Sequence, residues 1–347
     1  MEVLIMTQSY QKYRMLKAML LLLGFAAVLF FAFFSTTVGI METSPFDVPR
    51  AVFSYFTGTL EGNAHYKVIV LMRLPRTVMA ILAGAGLSVA GASMQGTTSN
   101  PLVSPFTVGI SSSAAFGASL MIIFGGVLAT DTTVVLAAFA ASMLCALLVF
   151  TIARMTGMKP ETVVLVGTAI SYLFSASTSC LEIFADEHKL AEVVRWSFGS
   201  INGATWVQDG IVAVFVLSCM VFMFYLSPRI NVMMMGDDAL AKSMGIHTSR
   251  LRSIVLVVSV LMTSSIISFT GVIGFVGLIA PHIGRRIIGE DNRYLMPFSA
   301  IIGAVLLIFS DIVGRTVMAP SLVPVGIVIS FLGVPLFLSL IWQRGRG

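Results

Sequence analysis

The side chains able to do chemistry are few in this 347-residue chain, and their spacing builds no catalytic site. Neither a GxxxxGK(S/T) phosphate loop nor an HExxH zinc helix occurs. The stretch nearest to a nucleophile elbow, GLSVA at Gly86 to Ala90, lacks the closing glycine of GxSxG. Asp237 and Asp238 would suit the metal-binding pair of a membrane transferase, but no second acidic cluster accompanies them. Cys145, Cys180 and Cys219 lie in or beside apolar runs, and the four histidines are scattered, so no disulfide framework or metal pattern emerges. Few carboxylates fall inside the apolar runs, which argues against the buried acidic relay of a proton-driven pump. What remains is a passage, a gate and something else to drive it. Three charged groupings then stand out: Arg73 with Arg76, the polar stretch from Ser227 to Arg252, and Asp311 with Arg315.

The elements that carry these groupings are membrane helices. Hydrophobic residues make up 57% of the chain and charged residues 11%, with a mean hydropathy of +0.97, whereas soluble proteins carry about 25% charged residues. A helical span needs about 20 apolar residues. Ten runs are found: Ala18 to Phe34, Val68 to Met94, one beginning near Thr107, Thr132 to Ile152, Thr162 to Phe184, Trp206 to Leu226, Leu251 to Thr270, the short Gly274 to Ile288, Met296 to Val317, and Pro324 to Trp342. The expected fold is all-α, one polytopic membrane domain over residues 1–347. The first run is long for a signal peptide and lacks a small-x-small cleavage site, so it is read as a retained span.

Threading the runs alternately from a cytoplasmic N-terminus places 14 of the 21 Lys and Arg residues inside, including Lys12, Arg14, Lys17, Arg250, Arg252, Arg285 and Arg286. Most acids then fall outside, among them Asp186, Glu187, Glu192 and Asp209. This asymmetry satisfies the positive-inside rule, puts both termini in the cytoplasm and places the Ser227 to Arg252 stretch there too.

That stretch reads as folded. Asp237 and Asp238 can cap a short helix, Ala239 to Met244 can form it, and Gly245 can end it in a left-handed turn. Thr248 can cap a second short helix carrying Arg250 and Arg252. Two capped helices at about 236–250 suit a rigid knob offered to a partner; an ordinary loop is the alternative. In the second run Ala80, Gly84, Ser88 and Ala92 recur every fourth residue, giving a small-residue face for close helix packing. Asn100-Pro101 and Pro105 interrupt helix before the third run. Asp311 and Arg315, four apart, are placed to pair, and Gly333 and Pro335 should bend the last helix.

RLPRTVMAILAGAGLSVAGASMQGTTSNPLVSPFTVGI (Arg73 to Ile110) resembles a signature of the permeases that import ferric siderophores, haem and cobalamin, the FecCD/BtuC-like family of type II ATP-binding-cassette importers. GDDALAKSMGI resembles that family's coupling segment, GVIGFVGLIAPHIGRRIIGEDNRYLMP (Gly271 to Pro297) its third block, and DIVGR with PVGIVISFLGVPLF its fourth. The blocks occur in family order.

The resemblance implies a homodimer of ten-helix permeases with an inverted repeat relating the second to fifth and seventh to tenth helices. It implies two partner ATPase subunits that use ATP and Mg, and an external substrate-binding protein. It implies no cofactor or metal on this chain, no catalysis, no nucleic acid, and residence in a prokaryotic cytoplasmic membrane. Asp237, Asp238, Ala239, Leu240, Ala241, Met244 and Gly245 match the segment that sits in a groove of the ATPase. Arg73, Arg76 and Arg315 match outer arginines that receive the binding protein, with membrane-interface anchoring as the alternative. Gln95, Asn100, Pro101, Pro281 and His282 belong to matching blocks, and helix breaking and a satisfied histidine are the simpler account of the last four. Val323 stands where the family often has an acid before the proline, and Ser111-Ser112-Ser113 replaces a more usual Gly-Ala pairing. The expected cargo is a ferric siderophore, with cobalamin or haem as alternatives; an ion-coupled secondary transporter is the rival class.

Overall fold

The computed structural model describes residues 2–39, 43–59, 63–235 and 238–344. Its helices are α1 (Glu2–Thr37), α2 (Asp47–Phe56), α3 (Ala64–Val68), α4 (Leu74–Thr98), α5 (Ile110–Phe124), α6 (Asp131–Met155), α7 (Pro160–Glu182), α8 (Glu187–Ser197), α9 (Trp206–Met234), α10 (Asp238–Ser243), α11 (Thr248–Thr270), α12 (Val276–Ile288), α13 (Asn292–Thr316) and α14 (Val325–Arg344). Each of the ten apolar runs is a helix. Seven spans are long and apolar enough to cross a membrane, α3 and α4 counting as one, and α5 and α14 are shorter apolar helices. The protein is an all-α, multi-pass membrane protein.

Two prolines explain local departures from regular helix. A π-helical turn, Ile69–Arg73, joins α3 to α4 just before Pro75. Its wide i→i−5 bonding runs from the Leu74 amide to the Ile69 carbonyl. Pro75 has no N–H to continue the series to Val70, and the Trp206 indole N–H fills that place at 2.9 Å from the Val70 oxygen. In α9 the helix runs on to Met234 rather than ending near Leu226. Pro228 cannot bond the Phe224 carbonyl, and the Ser227 hydroxyl does so instead at 2.7 Å. The polar stretch that begins at Ser227 is therefore partly an extension of the sixth span.

The centre of the bundle is α4, which packs on α9, α11, α12 and α13. Its small-residue face does what four-residue spacing predicts. Gly84 lies against Gly303 of α13 with no room for a Cβ on either, and Ala80 and Ala92 are fully buried. A second close approach, Gly91 on Gly277 of α12, leaves no space for a methyl group either. Backbones this close gain dispersion contacts that bulky side chains would prevent.

The pairings carry an internal symmetry that residue identities do not show. α4 packs on α13 as α11 packs on α6, and α5 on α6 as α12 on α13. Likewise α5 meets α7 as α12 meets α14, α4 meets α12 as α11 meets α5, and α6 meets α7 as α13 meets α14. The short helices α5 and α12 both follow irregular backbone with a positive φ, at Gly109 (φ 92°) and Phe275 (φ 64°). Alternating spans make the two halves run in opposite senses, because an odd span, α9, lies between them. The inverted repeat is thus visible in packing.

Candidate functional sites at the two ends of the bundle

One end gathers the C-termini of α4, α6 and α9, the N-termini of α11 and α13, and the short helix α10. Arg252, on the first turn of α11, organises it. Its side chain is only 5% exposed. Nε donates to the Thr97 carbonyl of α4 at 3.1 Å, Nη1 to the Met158 carbonyl after α6 at 2.7 Å, and Nη2 to Asp238 Oδ1 of α10 at 3.0 Å. Thr248 adds a hydroxyl bond to Asp238 Oδ2 at 3.2 Å. Partial burial would raise the pKa of Asp238, but the hydrogen bond and charge of Arg252, with Thr248 and Lys242, hold it below the ordinary value.

α10 therefore forms as expected, and Gly245 (φ 83°) ends it in a left-handed turn with its amide on the Lys242 carbonyl. The predicted second short helix does not exist as a separate element. Thr248 is the first residue of α11 rather than its cap, and Arg250 and Arg252 ride on one 23-residue helix. The reason is that Thr248 spends its hydroxyl on Asp238, leaving α11 to start without a side-chain cap. Asp237 lies outside the described residues. Of the others, Ala241 is buried, while Ala239, Leu240 (43% exposed), Met244 (55%) and Gly245 are exposed, so α10 shows an apolar Leu240–Met244 edge. A second polar fastening holds α9 to α13: Asn231 Nδ2 donates to Asp291 Oδ1 at 2.6 Å and Asn231 Oδ1 accepts from the Asn292 amide at 2.8 Å. Sequence reasoning missed both fastenings. The available signal was an arginine on the first turn of an apolar span, where lipid would not solvate it.

The opposite end holds Arg73, Arg76 and Arg315, the arginines matched to the docking positions. They do not project from a rim, as an exposed face would have them. Arg73, Arg76 and Arg315 are all buried. Asp311 pairs with Arg315 one turn away at 3.0 Å, as its spacing predicts, and also with Arg76 of α4 at 2.6 Å. Arg315 donates to the Ser35 hydroxyl and the Val38 carbonyl at the end of α1, at 2.6 and 2.9 Å. Arg73 donates to the Thr36 carbonyl and the Thr43 hydroxyl at 2.9 and 2.7 Å. A guanidinium buried in a membrane protein needs such acceptors, and the chain supplies them from α1. Two guanidinium groups against one carboxylate leave the Arg76–Asp311–Arg315 cluster net positive.

The remaining motif residues converge. Gln95, Asn100, Pro101 and His282 line one polar cavity of about 480 Å³ at the end of α9, with Ser99, Met234, Arg285, Arg286 and Glu290. Asn100 makes an Asx turn to the Leu102 amide at 2.9 Å, and Ser99 (φ 49°) closes α4. Pro281 sits buried inside α12. Among the described residues no group of three His, Cys, Asp or Glu side chains could hold a metal ion.

Comparison with known proteins agrees with this architecture. The model of the FecCD transport family matches residues 27–343. The iron(3+)-hydroxamate import system permease FhuG of Bacillus subtilis is 32% identical over 318 residues, covering 90% of this chain and 93% of that one. The Fe(3+)-citrate import system permease YfmE of the same organism is 35% identical over 281 residues, covering 80% and 83%. A solved inward-facing structure, assigned to the metal-chelate type of ABC transporter, superposes with a TM-score of 0.81 at 28% identity over 94% of this chain and 99% of that one. With nearly the whole chain matched and the all-helical membrane fold in place, this protein belongs to the FecCD transport family.

Proposed function

We propose that this chain is the membrane-spanning subunit of an ATP-driven importer that carries a ferric chelate across the cytoplasmic membrane. Relatives named for ferric hydroxamate and ferric citrate import support a siderophore-type cargo over cobalamin or haem. Energy comes from two partner ATPase subunits seated against α10. The observation that carries this reading is the Arg252 clamp: a short helix with an apolar outer edge is tied by one buried side chain to α4 and to the segment after α6, so a push on α10 reaches the core without slack. A secondary transporter would need carboxylates at mid-span, whereas Asp209 lies in the first turn of α9 and Asp311 near the end of α13.

The passage runs along α7, between two copies of the chain. Thr168, Tyr172, Ser175 and Ser179 fall on one face of this span and are exposed in the single subunit, a polar face ill suited to lipid. Both termini and α10 lie in the cytoplasm, following the charge asymmetry of the loops. The arginine cluster then faces outward, where its net positive field attracts acidic side chains of a substrate-binding protein. The test is reconstitution in liposomes with ATPase subunits and binding protein: ferric hydroxamate should accumulate only with ATP inside. Accumulation without nucleotide, or ATP turnover by this chain alone, would overturn the proposal.

A further inference from the structure

The polar cavity between the end of α4 and α12 contains two groups that the protein leaves unanswered. Gln95 is 1% exposed; its Nε2 donates to the Gly277 carbonyl at 3.3 Å, but its Oε1 is buried without a hydrogen-bond partner. Arg285 Nη1 is likewise buried and unpartnered. An unanswered buried amide oxygen or guanidinium N–H costs about 1–3 kcal/mol or more, so a cavity lined by both favours an occupant that supplies an acceptor and a donor. The charge of the lining selects among such occupants. Arg285 offers the unanswered charged donor, which calls for an anionic acceptor; Arg286 and His282, on the same face of α12, are engaged by contacts of their own, and Glu290 is exposed at the edge of the lining.

We propose that this cavity is a binding site for a phosphate group that carries or adjoins a hydroxyl: its anionic oxygens accept from Arg285, and the hydroxyl donates to Gln95 Oε1. Hydrogen phosphate from the cytosol and the phosphoglycerol head of an anionic lipid both have this chemistry, and arginine matches phosphate oxygens in either case. Met234, the last residue of α9, also lines the cavity, so the occupant sits against the end of α9.

The test uses the full chain, purified in neutral detergent and stripped of lipid. Thermal unfolding is followed against inorganic phosphate, with chloride at equal ionic strength as control, and against phosphatidylglycerol, with phosphatidylcholine as control. Stabilisation by phosphate alone marks a soluble oxyanion as the occupant, and stabilisation by phosphatidylglycerol but not phosphatidylcholine marks the lipid head; either supports the site. Arg285→Gln should weaken the effective ligand by about tenfold or more. Glu290→Gln, an exposed change that leaves the fold intact, should tighten it by about threefold by removing a repelling charge. If neither ligand stabilises the protein, or if both variants respond like the wild type, the proposal is wrong.

Discussion

Replacing Arg252 with glutamine tests the clamp most directly. The wild-type side chain satisfies two buried carbonyl oxygens, on Thr97 and Met158, and one carboxylate that is 47% exposed. Stripping a buried carbonyl of its donor costs about 1–3 kcal/mol. The half-exposed Asp238 pair contributes at most about 1 kcal/mol, since solvent screens it. With water reaching part of the vacated space, Arg252→Gln should loosen the corner by about 2–4 kcal/mol, and Asp238→Asn by less than about 1. Hydrogen exchange reads this locally at the Met244 and Ile246 amides, which bond the Leu240 and Ala241 carbonyls. If the loss falls on local opening, exchange there should quicken by about 30-fold to several hundred-fold in Arg252→Gln and by less than about 5-fold in Asp238→Asn. Acidity supplies a second signature. Because the folded pKa of Asp238 lies below its unfolded value of about 3.9, its contribution is complete above that value and is lost as pH falls through the folded pKa. Protection should therefore decline in acid in the wild type and not in Asp238→Asn. Equal exchange in the two variants would refute the reasoning, because the carbonyl bonds would then carry no load.

Leu240→Asp, on the exposed edge of α10, should leave membrane insertion intact yet cut ATP-driven uptake by roughly tenfold or more, as loss of a hot-spot side chain does; unchanged uptake counts against the coupling role. Arg73→Gln combined with Arg76→Gln, compared with the wild type only in protein shown to be folded, should weaken docking of the external binding protein and flatten its salt dependence, and docking with unaltered salt dependence excludes that role. Arg76→Gln alone should cost about 1–3 kcal/mol in a melting experiment, because buried Asp311 keeps Arg315 but loses its other partner. Gly91→Ala should sharply reduce the yield of folded protein, since the new methyl meets the Gly277 backbone, which cannot move aside; normal yield would mean that α4 and α12 are not locked there.

The spans were legible because apolar length is a one-dimensional property, and all ten runs are helices. The Gly84 contact was legible because four-residue spacing marks one face of a helix. Other features depend on distant partners. Arg76 and Asp311 are 235 residues apart in sequence, and nothing along the chain announces that they touch. Asp311 with Arg315 was readable only because both lie on one helix. Thr248 looked like a helix cap by type and position, yet its hydroxyl turns to Asp238. The sixth apolar run stops at Leu226, yet the helix continues through Pro228 because the neighbouring Ser227 hydroxyl takes the Phe224 carbonyl. At Thr248 local preference was overruled by a bond to a neighbouring element, whereas at Pro228 the repair is local to α9.

The manner in which α1 is held bears on the order of assembly. Most of its described surface is open, and polar contacts hold it at two levels, near its middle and at its C-terminal end, with Gly24 packed on Ile301 and Phe298 of α13 between them. Lys17 lies over the rings of Tyr13 and Tyr294 at 4.1 and 4.7 Å, while Ser35, Thr36 and Val38 meet Thr77, Arg73 and Arg315. The fasteners on α13 join residues about 280 positions apart, so they are made long after α1 leaves the ribosome. A newly made first helix therefore waits in the bilayer, latched at one tip by the second span, until the ninth arrives to seat it.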